Sequence, residues 1–137
     1  MGNTTQIKKE NIRKKVISEI KKAKKEVLAT MDIAEELASP LPVEYFSLLE
    51  KKHKQGIQIK RVIFGSTKEY KYFLKQIRDK NLFFTGRHTN SKNYKRMIII
   101  DDTRLFFRKK VKNKTIFYFT THDEYLKEYK RYFNRFR

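Results

Sequence analysis

The sequence predicts a single α/β domain, residues 1–137, built on a mixed β-sheet flanked by helices. Three observations lead to this. In the first half of the chain, helical and strand periodicities alternate, the pattern of parallel strands joined by helices. In the second half, strands follow one another directly, which suits antiparallel pairing. The composition, 39% hydrophobic and 14% aromatic with four glycines and two prolines, supports one packed core without long flexible linkers. A length of 137 residues suits one ordinary domain.

The elements follow in order. From Gln6 to Lys24, Ile12, Val16, Ile20 and Ala23 recur at helical spacing beside Ile17, with lysines on the opposite face. Glu26 to Ile33 is a short apolar strand. Ser39-Pro40-Leu41-Pro42 is a loop, and Pro42 suits the first turn of a helix. That helix is expected to turn Val43, Phe46 and Leu49 inward and to end at Gly56, a good C-terminal cap. Ile57 to Phe64 is β-branched and closes in a continuous apolar run, as in a strand buried on both faces.

Ser66 and Glu69 then have capping-box spacing, opening a helix that presents Tyr70, Phe73, Leu74 and Ile77. Asn81 to Thr85 is a short strand through Leu82-Phe83-Phe84, and Gly86 to Asn93 is a polar loop. Met97-Ile98-Ile99-Ile100 is a dense strand that stops at the turn signal Asp101-Asp102. Leu105-Phe106-Phe107 and Ile116-Phe117-Tyr118-Phe119 flank a basic turn, so they form an antiparallel pair. Thr121 and Glu124 have the spacing of a second capping box, before a helix carrying Leu126, Tyr129, Phe133 and Phe136. The predicted order is α-β-α-β-α-β-β-β-β-α.

Charge narrows the function. The chain carries 34 Lys and Arg against 15 Asp and Glu, a formal +19. A small folded domain repels itself at that charge unless an anion is near. Nucleic acid is the first expected partner, with an anionic membrane surface or an acidic protein second. Lys rises here without matching acid, unlike heat adaptation, where both rise together.

The absence of cysteine excludes disulfides, thiolate metal sites and cysteine nucleophiles. His53, His88 and His122 lack metal-ligand spacing, and no metal or cofactor is expected. No apolar run approaches a membrane span, no signal-peptide pattern occurs, and Gln6 stands where a myristoylation signal needs Ser or Thr. The expectation is an intracellular, cytoplasmic protein without integral membrane association.

The most informative stretch is Asn93-Tyr94-Lys95-Arg96-Met97-Ile98-Ile99-Ile100-Asp101-Asp102. Its spacing resembles the His-x-Lys-x-x-x-x-Asp signature of the phospholipase D superfamily, with Tyr94, Arg96 and Asp101 at the three places. Nearly the whole chain shares the element order of that family's half-domain, including a closing helix that ends in the aromatics Tyr132, Phe133 and Phe136.

The resemblance implies a phospholipase D-like half-domain with a degenerate motif. In the family the histidine attacks a phosphodiester and the lysine binds phosphate. Imidazole suits the first task because it is both nucleophile and leaving group near neutral pH. A phenol with a pKa near ~10 does not, unless strongly activated. Arg96 keeps a phosphate-capable cation with a planar fork. The Gly-Ser and Asn that tend to follow the family's acid are replaced here by Arg108-Lys109-Lys110-Val111. The spacing alone is less telling, since Tyr, Arg and Asp are ordinary polar ends for a buried Ile-rich strand.

A second constellation is basic: Arg104, Arg108, Lys109, Lys110, Lys112 and Lys114, interleaved with Phe106, Phe107 and Tyr118. The cations are expected to contact phosphate, and the aromatics to be core. The first helix adds Lys8, Lys9, Arg13, Lys14, Lys15, Lys21, Lys22, Lys24 and Lys25, as a binding face or as its wet side. His53 is expected at the surface, and Arg87-His88 at the edge of the motif pocket.

Three functions follow. The first is a non-catalytic domain that binds an anionic ligand, nucleic acid foremost, through Arg96 and the Arg104–Lys114 hairpin. The second is a metal-independent phosphodiesterase or nuclease with an altered nucleophile. The third is a ligand-sensing or protein-interaction module of a regulatory system, with a protein partner. Single-motif members of the family form two-fold dimers, so the resemblance also implies a homodimer across the motif face.

Overall fold

The computed structural model describes residues 2–77 and 85–136. Its elements are β1 (Thr4–Ile7), a 3-10 turn (Lys9–Asn11), α1 (Ile12–Lys21), β2 (Glu26–Asp32), α2 (Ile33–Ala38), α3 (Val43–Lys54), β3 (Gln58–Phe64) and α4 (Thr67–Ile77). There follow β4 (Thr85–Thr89), β5 (Met97–Ile100), β6 (Arg104–Val111), β7 (Lys114–Thr120) and α5 (Asp123–Asn134). The seven strands form one sheet in the order β1-β7-β6-β5-β2-β3-β4. The β2–β3 and β3–β4 pairs are parallel and the others antiparallel. This is the expected mixed sheet.

Side-chain alternation along the strands builds two main cores. Val27, Ala29, Ile98, Ile100 and Phe106 face α1 and α3, which supply Val16, Ile20, Tyr45 and Leu49. Leu28, Val62, Ile99, Leu105 and Phe107 face α5, which supplies Leu126, Tyr129, Tyr132 and Phe133. A smaller cluster of Met31, Ile33, Ile63 and Phe73 seats α2 and α4. Because both faces of β2 and β5 are covered, these strands are mostly apolar, β5 without interruption and β2 broken only by Thr30 between Val27 and Met31.

Several local expectations are corrected. Gln6 and Ile7 do not begin the first helix; they lie in β1, paired with Tyr118 and Phe117 of β7. Pairing with the open edge of β7 outweighs helical periodicity in so short a segment. A short helix, α2, precedes the Ser39–Pro42 loop, capped where the Asp32 carboxylate accepts from the Glu35 amide at 3.1 Å. In α3, Val43 is 80% exposed, and the inward face is Tyr45, Leu48 and Leu49 with Phe46 partly covered. Leu74 of α4 is likewise exposed.

Leu82-Phe83-Phe84 and the Ile77 side chain lie outside the described residues. Part of the expected polar loop is instead β4, an edge strand whose Arg87, His88 and Thr89 suit a border that pairs on one side only. The Ser66–Glu69 capping box forms as expected. The second does not: His122 caps α5, while the Thr121 hydroxyl accepts from the Asn3 amide.

Lys52 joins α3 to the end of α1. Its ammonium, on a residue only 9% exposed, donates to the carbonyls of Lys21 at 2.6 Å and Ala23 at 3.1 Å. The last carbonyls of a helix need such a donor, and the helix dipole favours a cation there. Lys52→Met keeps the stem but orphans both carbonyls. Urea denaturation should show a loss of about 1–3 kcal/mol; an unchanged midpoint would show the contact to be idle.

Candidate functional site

Tyr94, Arg96 and Asp101 do not converge. The four residues of β5 span about 13 Å at a strand's ordinary rise, with Tyr94 and Arg96 before it and Asp101 after it.

At the far end, Asp101 and Asp102 have left-handed backbones, φ 54° and 60°, a conformation that aspartate tolerates. The Asp101 carboxylate thereby reaches back to accept from the amides of Lys24 at 2.8 Å, Lys25 at 2.7 Å and Glu26 at 3.0 Å. Arg104 completes the arrangement, donating to Asp101 at 3.1 Å and to the Glu19 carboxylate at 3.0 Å. Burial pushes the Asp101 carboxyl up, but the three amides and Arg104 outweigh it and hold it below its ordinary value. Burial also raises Glu19, and Arg104, Lys15 and Lys22 reverse the shift. Arg104 therefore belongs to a clamp that closes the α1–β2 turn onto β5, away from the other hairpin cations.

The near end is held differently. The Thr30 hydroxyl donates to the Lys95 carbonyl at 2.7 Å and accepts from the Met97 amide at 3.0 Å. The Tyr132 hydroxyl accepts from the Lys95 amide at 2.7 Å and donates to the Asn93 carbonyl at 2.6 Å. These bonds fix the backbone on either side of Tyr94, whose ring packs on Phe64 at 5.2 Å. The Tyr94 hydroxyl is buried without a hydrogen-bond partner of good geometry. Burial pushes its pKa above the ordinary phenol value; Arg96 pulls it back in part, and Glu35 adds to the rise. A phenol held in this way is a poor nucleophile.

Arg96 and Arg108 lie on either side of the Glu35 carboxylate, which α2 delivers. Arg108 pairs directly with Glu35 Oε2, and Arg96 Nη1 stands 4.0 Å from Oε1. Burial alone would lower the Arg96 pKa, but Tyr94, Tyr45 and Glu35 keep it above its ordinary value. Behind them lies Arg61, 3% exposed, donating to Met31 Sδ at 3.1 Å.

Glu35 and Arg61 were not singled out from the sequence. Asp32-x-x-Glu35 was the available signal for Glu35, since it has capping spacing. For Arg61 the signal was a lone cation within an otherwise apolar strand. A cleft of about 390 Å³ opens beside this cluster, between α1, the loop after α2 and the β5–β6 face. Arg13, Arg96 and Arg108 line it with Glu35 and Glu36.

The remaining hairpin cations gather beyond the cluster. Lys110, Lys112 and Lys114 are exposed, and Lys109 lies over the rings of Phe107 and Tyr125 at 5.8 and 5.6 Å. Lys112 and Asn113 form the two-residue turn, both with positive φ, the geometry that closes a twisted hairpin. Phe106 and Phe107 are core, and Tyr118 packs against it. Ile7 pairs with Phe117, so the chain leaves β1 toward this same end, carrying the exposed Lys8 and Lys9 that way.

Of the first-helix cations, Lys15 and Lys22 contact Glu19 at 3.3 and 3.4 Å. Lys14, Lys21, Lys24 and Lys25 are exposed. His88 stacks on Tyr70 at 4.2 Å, with Nε2 2.8 Å from the Gly65 carbonyl. His53 is exposed. Among the described residues, no group of His, Asp and Glu is arranged to hold a metal, and no helix is long and apolar enough to cross a membrane.

No family model and no curated protein matches this sequence. Solved structures do resemble it. The archaeal chromatin protein TrmBL2 is 19% identical with a TM-score of 0.65, over 98% of this chain and 50% of that one. NucT from Helicobacter pylori is 14% identical with a TM-score of 0.62, over 99% and 94%. The phosphatidylserine synthase of Haemophilus influenzae is 5% identical with a TM-score of 0.57, over 96% and 38%. The chain thus spans half of the first and nearly all of the second. At these identities the likeness shows the fold, which is phospholipase D-like.

The clamp has a pH signature. Asp101 and Glu19 are held below their unfolded values, so their stabilisation is fully present above about pH 5 and is lost as pH falls through the folded values. Asp101→Ala should cost about 1–3 kcal/mol at neutral pH. In urea titrations across pH, the gap from the unsubstituted protein should close on acidification. A gap independent of pH would contradict the clamp.

Proposed function

We propose that this chain is a nucleic-acid-binding domain on a phospholipase D-like fold, with a motif strand that positions structure instead of cutting phosphodiesters. The observation that carries the reading is the charge. A formal +19 stands on a small domain, and its exposed hairpin lysines gather at one end of the sheet with Lys8 and Lys9. Each phosphate neutralised by such a cation releases counterions, which favours binding without base contacts.

Two further observations support it. The Tyr94 hydroxyl is buried and its pKa raised, which opposes nucleophilic attack. TrmBL2, whose fold this chain resembles, is described as a chromatin protein with a novel mode of DNA binding. Arg96 and Arg108 contribute positive potential from behind Glu35, while the lysines make the phosphate contacts. The reading includes a two-fold dimer across the motif face; a monomer by light scattering at high concentration would remove that part.

Filter binding of a short DNA duplex tests the reading. Affinity should fall steeply with salt. Replacing Lys110, Lys112 and Lys114 by Ala should flatten the slope of log K against log salt by about 2–3. Tyr94→Phe should leave binding unchanged. No affinity for DNA or RNA at low salt overturns the reading. Turnover of a bis-nitrophenyl phosphate that Tyr94→Phe abolishes would instead make the chain a phosphodiesterase.

A further inference from the structure

The cleft beside α1 has a different chemistry from the lysine surface. Its walls include Val16, Ile17, Leu41, Ile98, Phe106 and Phe117, and arginines come together at its polar part. At about 390 Å³ it falls in the size range of small-molecule sites, roughly 300–1,000 Å³. We propose that this cleft binds a small apolar carboxylate, whose head group takes the place of Glu35 between Arg96 and Arg108.

Glu35 itself shows which head group the arginines accept. A guanidinium is a planar fork that matches a carboxylate. Glu35 serves the two arginines unequally: Oε2 pairs with Arg108, while Oε1 is buried without a hydrogen bond, 4.0 Å from Arg96. Charge-assisted hydrogen bonds run to about 2.7–2.9 Å, so the Arg96 contact falls short. The backbone of α2 sets how far Glu35 can reach. A carboxylate that is not tethered to the chain can approach both guanidinium groups.

Glu35 can give way because its side chain is 39% exposed and can turn into water, the incoming carboxylate replacing its pairing to Arg108. The charges also favour the exchange. Arg13, Arg96 and Arg108 line the cleft against Glu35 and Glu36, three cations to two anions, and to one once Glu35 turns away. Apolar walls select against a nucleic-acid backbone, which has no apolar body to bury. They suit a hydrocarbon chain or ring carrying one acid. This site is distinct from the lysine surface, so either proposal can fail without the other.

Isothermal titration of the full chain with decanoate tests it. The expected result is saturable one-to-one binding, with 1-decanol about tenfold weaker or worse because it lacks the charge. Glu35→Gln should tighten decanoate several-fold by removing the internal competitor, and Arg96→Ala should weaken it about tenfold. Arg96→Ala perturbs a packed region, so a second variant is needed. Ala38 lines the cleft yet is exposed, and Ala38→Trp should fill the cleft without touching the core. It should abolish decanoate binding while leaving circular dichroism and DNA affinity intact. Absence of saturable binding in both the unsubstituted chain and Glu35→Gln overturns the proposal. So does equal binding of decanol, or Ala38→Trp binding like the parent.

Discussion

A strand buried on both faces cannot leave its ends unsatisfied, and β5 is such a strand. Met97, Ile98, Ile99 and Ile100 are all at most 8% exposed, in the middle of the sheet between β2 and β6. Water cannot reach to repair a missing hydrogen bond there. Each end is therefore finished by side chains: Thr30 and Tyr132 at the start, Asp101 at the finish. These pins also join elements distant in sequence. Tyr132 ties α5 to the segment before β5, and Asp101 ties the α1–β2 turn to the segment after it. The layers on both faces of the sheet are held through this one strand.

The same requirement divides the motif. A polar residue, a cation and an acid at fixed spacing need not share a pocket when four buried residues separate the acid from the others. Asp101 and Arg104 serve the clamp. Arg96 and Arg108 serve a cluster at the opposite end with Glu35 and Tyr94. The tyrosine hydroxyl of that cluster is buried and its two arginines share one internal carboxylate, while the lysines of the β6–β7 hairpin remain in solvent.

Much of this was legible in the sequence. The runs Val27–Ala29, Val62–Phe64 and Met97–Ile100 marked their strands because burial on both faces leaves an unbroken apolar signature. The Ser66–Glu69 box and Gly56 marked helix ends because their chemistry is local. What was missed depends on partners far along the chain. Thr4–Ile7 is a strand only because β7 offers it an edge, and β4 is polar because it borders the sheet on one side. Glu35 could not be placed among arginines 61 and 73 residues away by any local pattern. The aspartate of the motif was visible, but its role was not, since it depends on a left-handed turn and on amides of another segment.

The charge and the fold support the proposed reading as a nucleic-acid-binding domain whose contacts lie on the exposed hairpin lysines and not on Asp101 and Arg104. An NMR titration of the labelled chain with a short DNA duplex at low salt tests this most directly. The expected result is amide shifts gathered at residues 109–114 with Lys8 and Lys9, suppressed by added salt, while Asp101 and Arg104 stay still. Shifts confined to the Asp101 and Arg104 end, or none at all, would contradict it.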